Sequence, residues 1–398
     1  MTLTAADVAA PVASYARRFH AVAGSRHQVG SPLGAWLLLA LCAPPSEGKN
    51  RETLNGVLGC DVADAAGLAA GLLARPDPQV PAAAAVWHRP GHLTDVVTRW
   101  LAGLPPQVQT GPLTSQADLD DWARRGTLGL IESFPVALDP SLYLLAATVI
   151  AARVSWERPF DLAPAAELGA SSPWAGTLSQ VLRTPDGPGH QQFVAATQAA
   201  GDVAVHAARA RGGLQVISVA AAPGVPPADV LAAAYDLGPA LAIGRPVARR
   251  SLFDLPLGEG PLWAVTERTG PVKSADGREE RCMAVLPAWS ARSQFDLSDP
   301  GLGFAAAAAA LAPGDPWQAR QAAMARYSRV GFEAAAVTGL AVAMAARPSR
   351  PGLIRTAELR FGHPYAVVAV AAGDATGDPG PWHGLPVFSA WVAQPEDA

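Results

Sequence analysis

The sequence predicts a single large α+β domain that spans residues 1–398. Helix-like patterns lie mostly in the first part of the chain and strand-like patterns dominate later, without the regular strand–helix–strand alternation of a parallel sheet. Half of the 398 residues are hydrophobic and only 16% are charged, so the chain can bury a large core. We see no internal repeat and no long linker that would divide it.

The helices are predicted from apolar periodicity and from capping residues. Residues 8–23 place Tyr15 and other apolar side chains on one side and arginines on another, which predicts an amphipathic helix. Ser31 and Pro32 predict the start of a second, apolar helix, with serine at the N-cap and proline in the first turn. Residues 305–311 predict a later helix that ends before a Pro-Gly pair.

The strands are predicted from short apolar runs bounded by turn residues. Residues 144–154 are apolar and β-branched without alternation, which favours a strand that is buried on both faces. Residues 213–219 and 284–286 predict further strands. Residues 365–371 and 387–393 predict two apolar strands joined by a turn-rich loop.

Charge and cysteine content exclude several classes of protein. The net charge is −4, the isoelectric point is about 6.1 and the arginines are scattered, which argues against a nucleic-acid-binding surface. Cys42, Cys60 and Cys282 form no CxxC pair and indicate neither a disulfide framework nor a zinc site. The N-terminus has no secretory pattern, and the apolar run at 33–43 has only about half the length of a membrane span. We therefore expect a soluble, cytoplasmic protein with no membrane partner.

Enzymatic motifs are absent from the sequence. It contains no GxSxG, Walker, HExxH or EF-hand pattern. Residues 301–306 fit GxGxxA but follow a polar, proline-containing stretch and not an apolar strand, so dinucleotide binding is not predicted. His88 and His92 are separated by Pro90-Gly91 and cannot share a helix face. No catalytic residue, cofactor or metal ligand is predicted, and an enzyme is the less favoured class.

One segment of small residues has two interpretations. By propensity, an alanine run is most often a buried helix or ordinary core packing. Alternatively, it is a strand that enters a sheet it does not always occupy, where small side chains make entry easy. A basic, proline-rich turn at 347–352 follows it. The segment consists of Gly331, Phe332, Glu333, Ala334, Ala335, Ala336, Val337 and Thr338.

Seven further fragments, in order along nearly the whole chain, favour the second interpretation. They are residues 31–33, 46–59, 121–131, 138–161, 286–297, 361–365 and 384–392. Together with 331–338, they resemble the serpins, and we identify the sequence as serpin-like, of the bacterial type. The resemblance implies three β-sheets, about eight or nine helices and an exposed reactive loop at about 329–356.

The resemblance also implies a function. Inhibitory serpins offer the loop as bait to a serine protease, and after cleavage the hinge, here 331–338, inserts into the central sheet and traps the enzyme. Hinge spacing places the reactive bond at Ala345-Ala346, which suits elastase-like or subtilisin-like proteases. The longer distance to 363–364 leaves Arg347, Arg350 or Arg355, and hence trypsin-like proteases, as alternatives. The resemblance implies a monomer without a cofactor.

Departures from the serpin pattern keep a second function open. Phe332 is bulky where inhibitory members have a small residue, and Arg329 stands where an acidic residue is usual. The polar cluster of the sheet-opening region keeps only Ser31. The alternative is therefore a non-inhibitory scaffold that binds a ligand or partner, or that has gained a catalytic pocket. The positions aligned with the sheet-opening region are Ser31, Gly34, Ala147, Trp156 and Gln321.

Overall fold

The computed structural model describes residues 5–91, 93–139, 142–315, 317–332, 350–373 and 380–398. Within these residues the chain forms eight α-helices and three main β-sheets, which is the α+β architecture predicted from the sequence. Helices α1–α8 span Ala5–Ala23, Pro32–Cys42, Gly48–Leu58, Val62–Ala74, Asp95–Ala102, Gln116–Gly126, Pro227–Ala242 and Phe304–Leu311.

The predicted helix starts and ends agree with these bounds within three residues. Ser31 is the N-cap of α2, its side chain accepts a hydrogen bond from the Gly34 amide, and Pro32 is the first helical residue. Among the described helices none alone has the length and hydropathy of a membrane span. Helices α3 and α4, which meet at an angle of 51°, pass that test only as a pair.

The described residues also form nineteen strands and three short 3-10 helices. Strands β1–β10 span Gln28–Gly30, Ala82–His88, Val108–Pro112, Leu144–Ile150, Val154–Ser155, Asp161–Pro164, Gln180–Arg183, His190–Thr197, Gly201–Arg209 and Leu214–Ala220. Strands β11–β19 span Gly258–Glu259, Trp263–Val272, Arg278–Leu286, Trp289–Asp296, Arg320–Tyr327, Gly331–Phe332, Arg350–Arg360, Tyr365–Ala371 and Pro386–Val392.

The most deeply buried sheet has the strand order β1-β19-β18-β10-β9-β8. Every residue of β10, β18 and β19 is buried, because α7 covers one face and the main core covers the other. The apolar runs that predicted these three strands are confirmed within one residue at each end. A second sheet has the order β11-β12-β17-β13-β7-β6, in which β17 pairs antiparallel with β12 and parallel with β13.

The third sheet, here called the main sheet, has two halves. One half has the order β3-β2-β4 and the other consists of β14 and β15. The short strands β5 and β16 pair with each other at one end of the sheet. Helix α6 packs on the β3-β2-β4 half, where Trp122 and Phe134 contact the β4 side chains of Leu145, Ala147 and Val149.

Strand β4 corrects one prediction. The run at 144–154 is not a single strand buried on both faces, since it breaks after Ile150 and resumes at Val154. Its side chains are alternately buried and half-buried, because only one face is fully covered by α6 and the loop after it. The half-buried face includes Ala146 and Thr148, which line the gap between the two halves of the main sheet.

Candidate strand-insertion site in the main sheet

The chain reverses direction immediately after β15. The Ser328 amide and the Ser328 hydroxyl both donate to the Gly331 carbonyl oxygen, each over 3.0 Å. Gly331 and Phe332 then pair antiparallel with Ser155 and Val154 of β5, while β16 also contacts β15. The chain has therefore begun a new strand that runs back between the two halves of the main sheet.

Gly331 permits this close approach because it has no side chain. A Cβ atom built on it would lie 2.9 Å from the Ser155 Cα and would collide with the Val154 carbonyl oxygen. The neighbouring atoms belong to the backbone of β5 and cannot rotate away. The turn and the first antiparallel pair consequently require glycine at this position.

Four hydrogen bonds lock this end of the sheet, which we call the closed end (residues 154–160 and 328–332). The Trp156 amide donates to the Val330 carbonyl over 3.1 Å, and the Trp156 indole N–H donates to the Ser328 carbonyl over 2.9 Å. The Phe160 amide donates to the Arg329 carbonyl, and the Arg329 guanidinium donates back to the Phe160 carbonyl, both over 3.0 Å. Trp156 is only 1% exposed and packs its ring at a tilt against Tyr327, with centroids 5.0 Å apart, so it is part of the core that supports the closed end.

Beyond the closed end, β4 and β15 form no backbone hydrogen bonds with each other in the described part of the chain. A cavity of about 180 Å³ lies between them, beneath the loop that follows α6. Thr127, Ile131 and Phe134 contribute to its mostly apolar lining. Four of the sheet-opening positions predicted from the sequence line it together: Ser31, Gly34, Ala147 and Gln321.

A polar cluster at the N-terminus of α2 connects both halves of the main sheet. The Gln321 side chain on β15 accepts from the Ser31 amide over 2.9 Å and donates to the Ser31 carbonyl over 2.8 Å. The Ser31 hydroxyl donates to the Val387 carbonyl of β19 over 2.7 Å. From β4, the Thr148 hydroxyl donates to the Gly34 carbonyl over 2.8 Å. The first turn of α2 therefore fastens β15 and β4 separately, without a direct bond between them.

Thr148 was missed by the sequence analysis, which aligned its neighbour Ala147 instead. The available signal was a single hydroxyl within the apolar run 144–150. A hydroxyl in an apolar strand usually needs a partner, so Thr148 could have been predicted to form a hydrogen bond. Its partner, the Gly34 carbonyl 114 positions away, could not have been predicted.

The remaining hinge positions, residues 333–338, lie outside the described residues, as do Ala345, Ala346 and Arg347. Arg350 and Arg355, the alternative bait residues, lie in β17. The described part of the proposed loop at about 329–356 therefore stops in strand β16 and resumes in strand β17. Arg355 is held firmly: its guanidinium pairs with Glu267 over 2.8 Å and donates to the Leu252 and Leu255 carbonyls over 2.8 and 3.0 Å. A protease could reach the bond after Arg355 only if β17 left its sheet.

The described residues offer little for other chemistry. No group of three His, Cys, Asp or Glu side chains within the described ranges could hold a metal ion. Burial raises the pKa of the Cys42 thiol to about 12 and that of Cys282 to about 11, so neither forms a thiolate at neutral pH.

Comparison with known proteins identifies the architecture. No family model matches the sequence, and no curated protein matches it. Among solved structures, the thermophilic serpin Tengpin in the native state has a TM-score of 0.64 at 10% identity, over 98% of this chain and 93% of that one. Human thyroxine-binding globulin complexed with thyroxine has a TM-score of 0.64 at 14% identity, over 98% of both chains. Cleaved Serpin 42Da has a TM-score of 0.63 at 14% identity, over 98% of this chain and 99% of that one. At these identities the feature shared with the neighbours is the fold.

Proposed function

We propose that this chain, which has the serpin fold, inhibits a serine protease by inserting its cleaved loop into the main sheet. The observation that carries the proposal is the reversal at Ser328–Gly331. It starts a strand that pairs with β5, between halves that are unpaired with each other below the closed end. Strands β4 and β15 run in the same direction on the two sides of the gap. A strand that continued from Phe332 into the gap would run antiparallel to both of them.

The covalent step would be that of an ordinary protease substrate. The serine hydroxyl of the protease attacks the carbonyl carbon of the bait residue, the peptide C–N bond breaks, and the new amine leaves with a proton. The ester that remains joins the protease to the end of the hinge. Insertion then competes with hydrolysis of that ester by water.

Strand insertion supplies the driving force for trapping. Each backbone hydrogen bond that the new strand forms contributes about 0.5–1.5 kcal/mol net. In an extended strand, Ala334, Ala336 and Thr338 share a face with Phe332, and small side chains suit the side that packs on the core. The uncleaved protein would be less stable than the form with the inserted strand, and it would persist because a kinetic barrier slows insertion.

The cluster at α2 would contribute to that barrier. Opening the gap moves β15 relative to β4, and both are bonded to the first turn of α2. Separating them requires the Gln321 or the Thr148 hydrogen bonds to break. The direct Gln321–Ser31 pairing would thus take the place of the polar cluster for which the serpin pattern uses two serines, an asparagine and a histidine, and of which only Ser31 is kept here.

The bait residues favour an elastase-like or subtilisin-like target. Ala345 would suit a small specificity pocket, whereas Arg347 would suit a trypsin-like pocket. Arg355 is a poor bait because its side chain is bonded within the second sheet.

The test is formation of a detergent-stable complex with a panel of serine proteases. Wild type is expected to form a complex with at least one elastase-like or subtilisin-like protease. Ala336→Arg would bury an unpaired charge in the inserting strand and should turn the protein into a substrate. Glu333→Arg, on the opposite face, is the matched control and should still trap. Phe332→Thr should lower the number of inhibitor molecules consumed per protease trapped, because it relieves overpacking where insertion begins.

The absence of a complex with every protease, for both wild type and Phe332→Thr, would contradict inhibition. The alternative is a non-inhibitory scaffold that binds a small apolar ligand. The apolar cavity between the halves of the main sheet favours it, and thyroxine-binding globulin is a structural neighbour whose complex contains a small ligand.

A further inference from the structure

Two histidines lie next to each other in the core directly behind the closed end. His190 on β8 is 7% exposed and His206 on β9 is fully buried. The His190 Nδ1 and the His206 Nε2 are 3.0 Å apart, and the two rings are stacked with centroids 5.3 Å apart. The His190 Nε2 is 2.8 Å from the Arg158 carbonyl oxygen, which belongs to the closed end.

These partners fix where the hydrogen atoms are. A carbonyl oxygen can only accept, so the His190 Nε2 must carry a hydrogen and donate it to Arg158. The Nδ1 of neutral His190 is then an acceptor and receives the hydrogen of the His206 Nε2. This leaves the His206 Nδ1 as a bare acceptor, and it is buried without a hydrogen-bond partner within the described residues.

The surroundings favour two neutral rings. Burial holds the pKa of His206 well below its usual value, and the neighbouring His190 lowers it further. Burial also lowers the pKa of His190, and the Arg158 charge adds to this, although the Arg158 carbonyl bond and Asp161 act in the opposite direction. From β10, the residue opposite His206 is the neutral Ser218. Tyr327 of β15, which packs on the Phe160 ring, is also neutral because burial raises its pKa well above the usual value.

A proton added to this pair would either break the bond between the rings or leave a buried charge without a counter-ion. A proton on the His190 Nδ1 would set two N–H groups against each other across 3.0 Å. A proton on the His206 Nδ1 would leave a buried cation with no carboxylate bonded to it. In both cases protonation favours a conformation in which the rings are exposed, because water can then hydrate the charge.

The pair is connected directly to the closed end. The Phe160 ring packs against His190 and His206 with centroid distances of 4.6 and 5.4 Å. The Phe160 amide and carbonyl are the groups that bind Arg329. Displacing the 156–160 segment would therefore both expose the histidines and release the turn after β15.

We propose that the His190–His206 pair is an acid-sensitive latch that holds the closed end shut at neutral pH and releases it in mild acid. The proposal goes beyond inhibition and does not depend on it, because the latch would control opening of the sheet whether a loop strand or a ligand enters. In an inhibitor, it would make strand insertion faster in acidic surroundings.

The test is amide hydrogen exchange at the Trp156 and Phe160 amides, corrected for the intrinsic effect of pH on exchange. If opening returns one histidine to a pKa of about 6.5, the opening constant should rise roughly tenfold between pH 7.5 and pH 5.5. The Arg360 amide, which donates to Leu262 in the second sheet, is the internal reference and should not change. Equal protection of Trp156 and Phe160 at both pH values would overturn the proposal.

Two variants assign the effect to this pair. His206→Gln keeps a donor nitrogen for His190 but leaves His190 as the only ring of the pair that can titrate, and should reduce the rise. His20→Gln is the matched control, because His20 is also buried but bonds Ser389, and the rise should persist. A full rise in His206→Gln would overturn the proposal. Should that variant not fold, histidine C2-hydrogen exchange in wild type decides, since titration of both His190 and His206 near pH 6.5 in the folded protein would contradict the latch.

Discussion

At the scale of single residues, Gly331 determines whether the hinge can start a strand. Gly331→Ala places a Cβ against the backbone of Val154 and Ser155, which has no side-chain freedom to move aside. We expect the β5–β16 pair to break and stability to fall by about 1–3 kcal/mol. The measurement is the melting temperature together with exchange of the Trp156 amide, which should lose protection.

Gly56→Ala is the control for this substitution. Gly56 lies in α3, is exposed, and has no atom within 4 Å of a built Cβ. Alanine there should leave stability unchanged or raise it by up to about 1 kcal/mol, since glycine is a poor helix former. Equal effects of the two substitutions would contradict a specific requirement for glycine at 331.

The second prediction at this scale concerns the hydrogen bonds of Gln321. Gln321→Leu keeps similar bulk but removes both hydrogen bonds to the backbone of the buried Ser31. The Ser31 N–H then loses this partner, whereas the Ser31 carbonyl still accepts from the Ala35 amide. We expect a loss of about 1–3 kcal/mol and easier separation of β15 from α2. Urea denaturation measures the first effect, and access of a dye to the cavity measures the second.

The control for Gln321→Leu is Gln318→Leu, three residues earlier. Gln318 is exposed, and within the described part of the chain it accepts one long bond of 3.4 Å from Arg320. Its replacement should change stability by less than about 0.5 kcal/mol. A Gln321→Leu protein as stable as this control would show that the α2 cluster does not fasten the sheet.

The sequence predicted which residues surround the sheet gap better than it predicted how they bond. Alignment brought together Ser31 and Gln321, and the structure places them in direct contact. It could not show that Gln321 binds the backbone of Ser31 and not its side chain, because that choice depends on the distance between β15 and α2. The His190–His206 pair gave no signal at all, since sixteen residues and a hairpin separate its members.

At the scale of elements, β17 is the anchor on the far side of the reactive segment. Its Arg355 binds Glu267 and two carbonyl groups, and its guanidinium lies 4.9 Å from the Phe253 ring centroid. Arg355→Met keeps the aliphatic part of the side chain and removes these polar contacts. We expect a loss of about 2–4 kcal/mol, because hydrogen bonds to a charged group are stronger than neutral ones.

Arg281→Met is the control on the neighbouring strand β13. Arg281 pairs with Glu279 at the surface and its side chain is 47% exposed, whereas that of Arg355 is 15% exposed. Surface pairs contribute about 0–1 kcal/mol, so this variant should be close to wild type. Thermal melting of both variants gives the comparison, and similar melting points would mean that Arg355 does not anchor β17.

Elements with uniform burial were the easiest to predict from the sequence. Strands β10, β18 and β19 are apolar throughout because both of their faces are covered. Strand β13 was recognised only at its end, 284–286, because its first residues are mostly charged and exposed at the sheet surface. The break in β4 had one signal in the sequence, the charged Arg153 that interrupts the apolar run. The end of the strand at Ile150 could not be predicted, because it depends on where pairing with β2 stops.

At the scale of the whole molecule, the main sheet is incomplete in hydrogen bonding between β4 and β15. Within the described chain, the strands of the other two sheets follow one another in unbroken paired order, so the gap between β4 and β15 is the place inside a sheet where the fold can still gain pairing. A strand in the gap would bond on two sides at once. The proposed function therefore requires that the molecule become more stable when the loop is cut, the opposite of what a nick does to an ordinary protein.

The last prediction tests this requirement directly. Cutting once between residues 344 and 350 should raise the melting temperature and the resistance to guanidinium, because the freed hinge can add a strand to the gap. Ala336→Arg, cut at the same bond, should show little or no gain, since its strand cannot enter without burying a charge. Circular dichroism of intact and nicked samples measures both. A nicked wild type that melts at or below the intact protein would mean that no strand enters. The fold would then serve the ligand-binding alternative, in which the cavity between β4 and β15 is the site to examine.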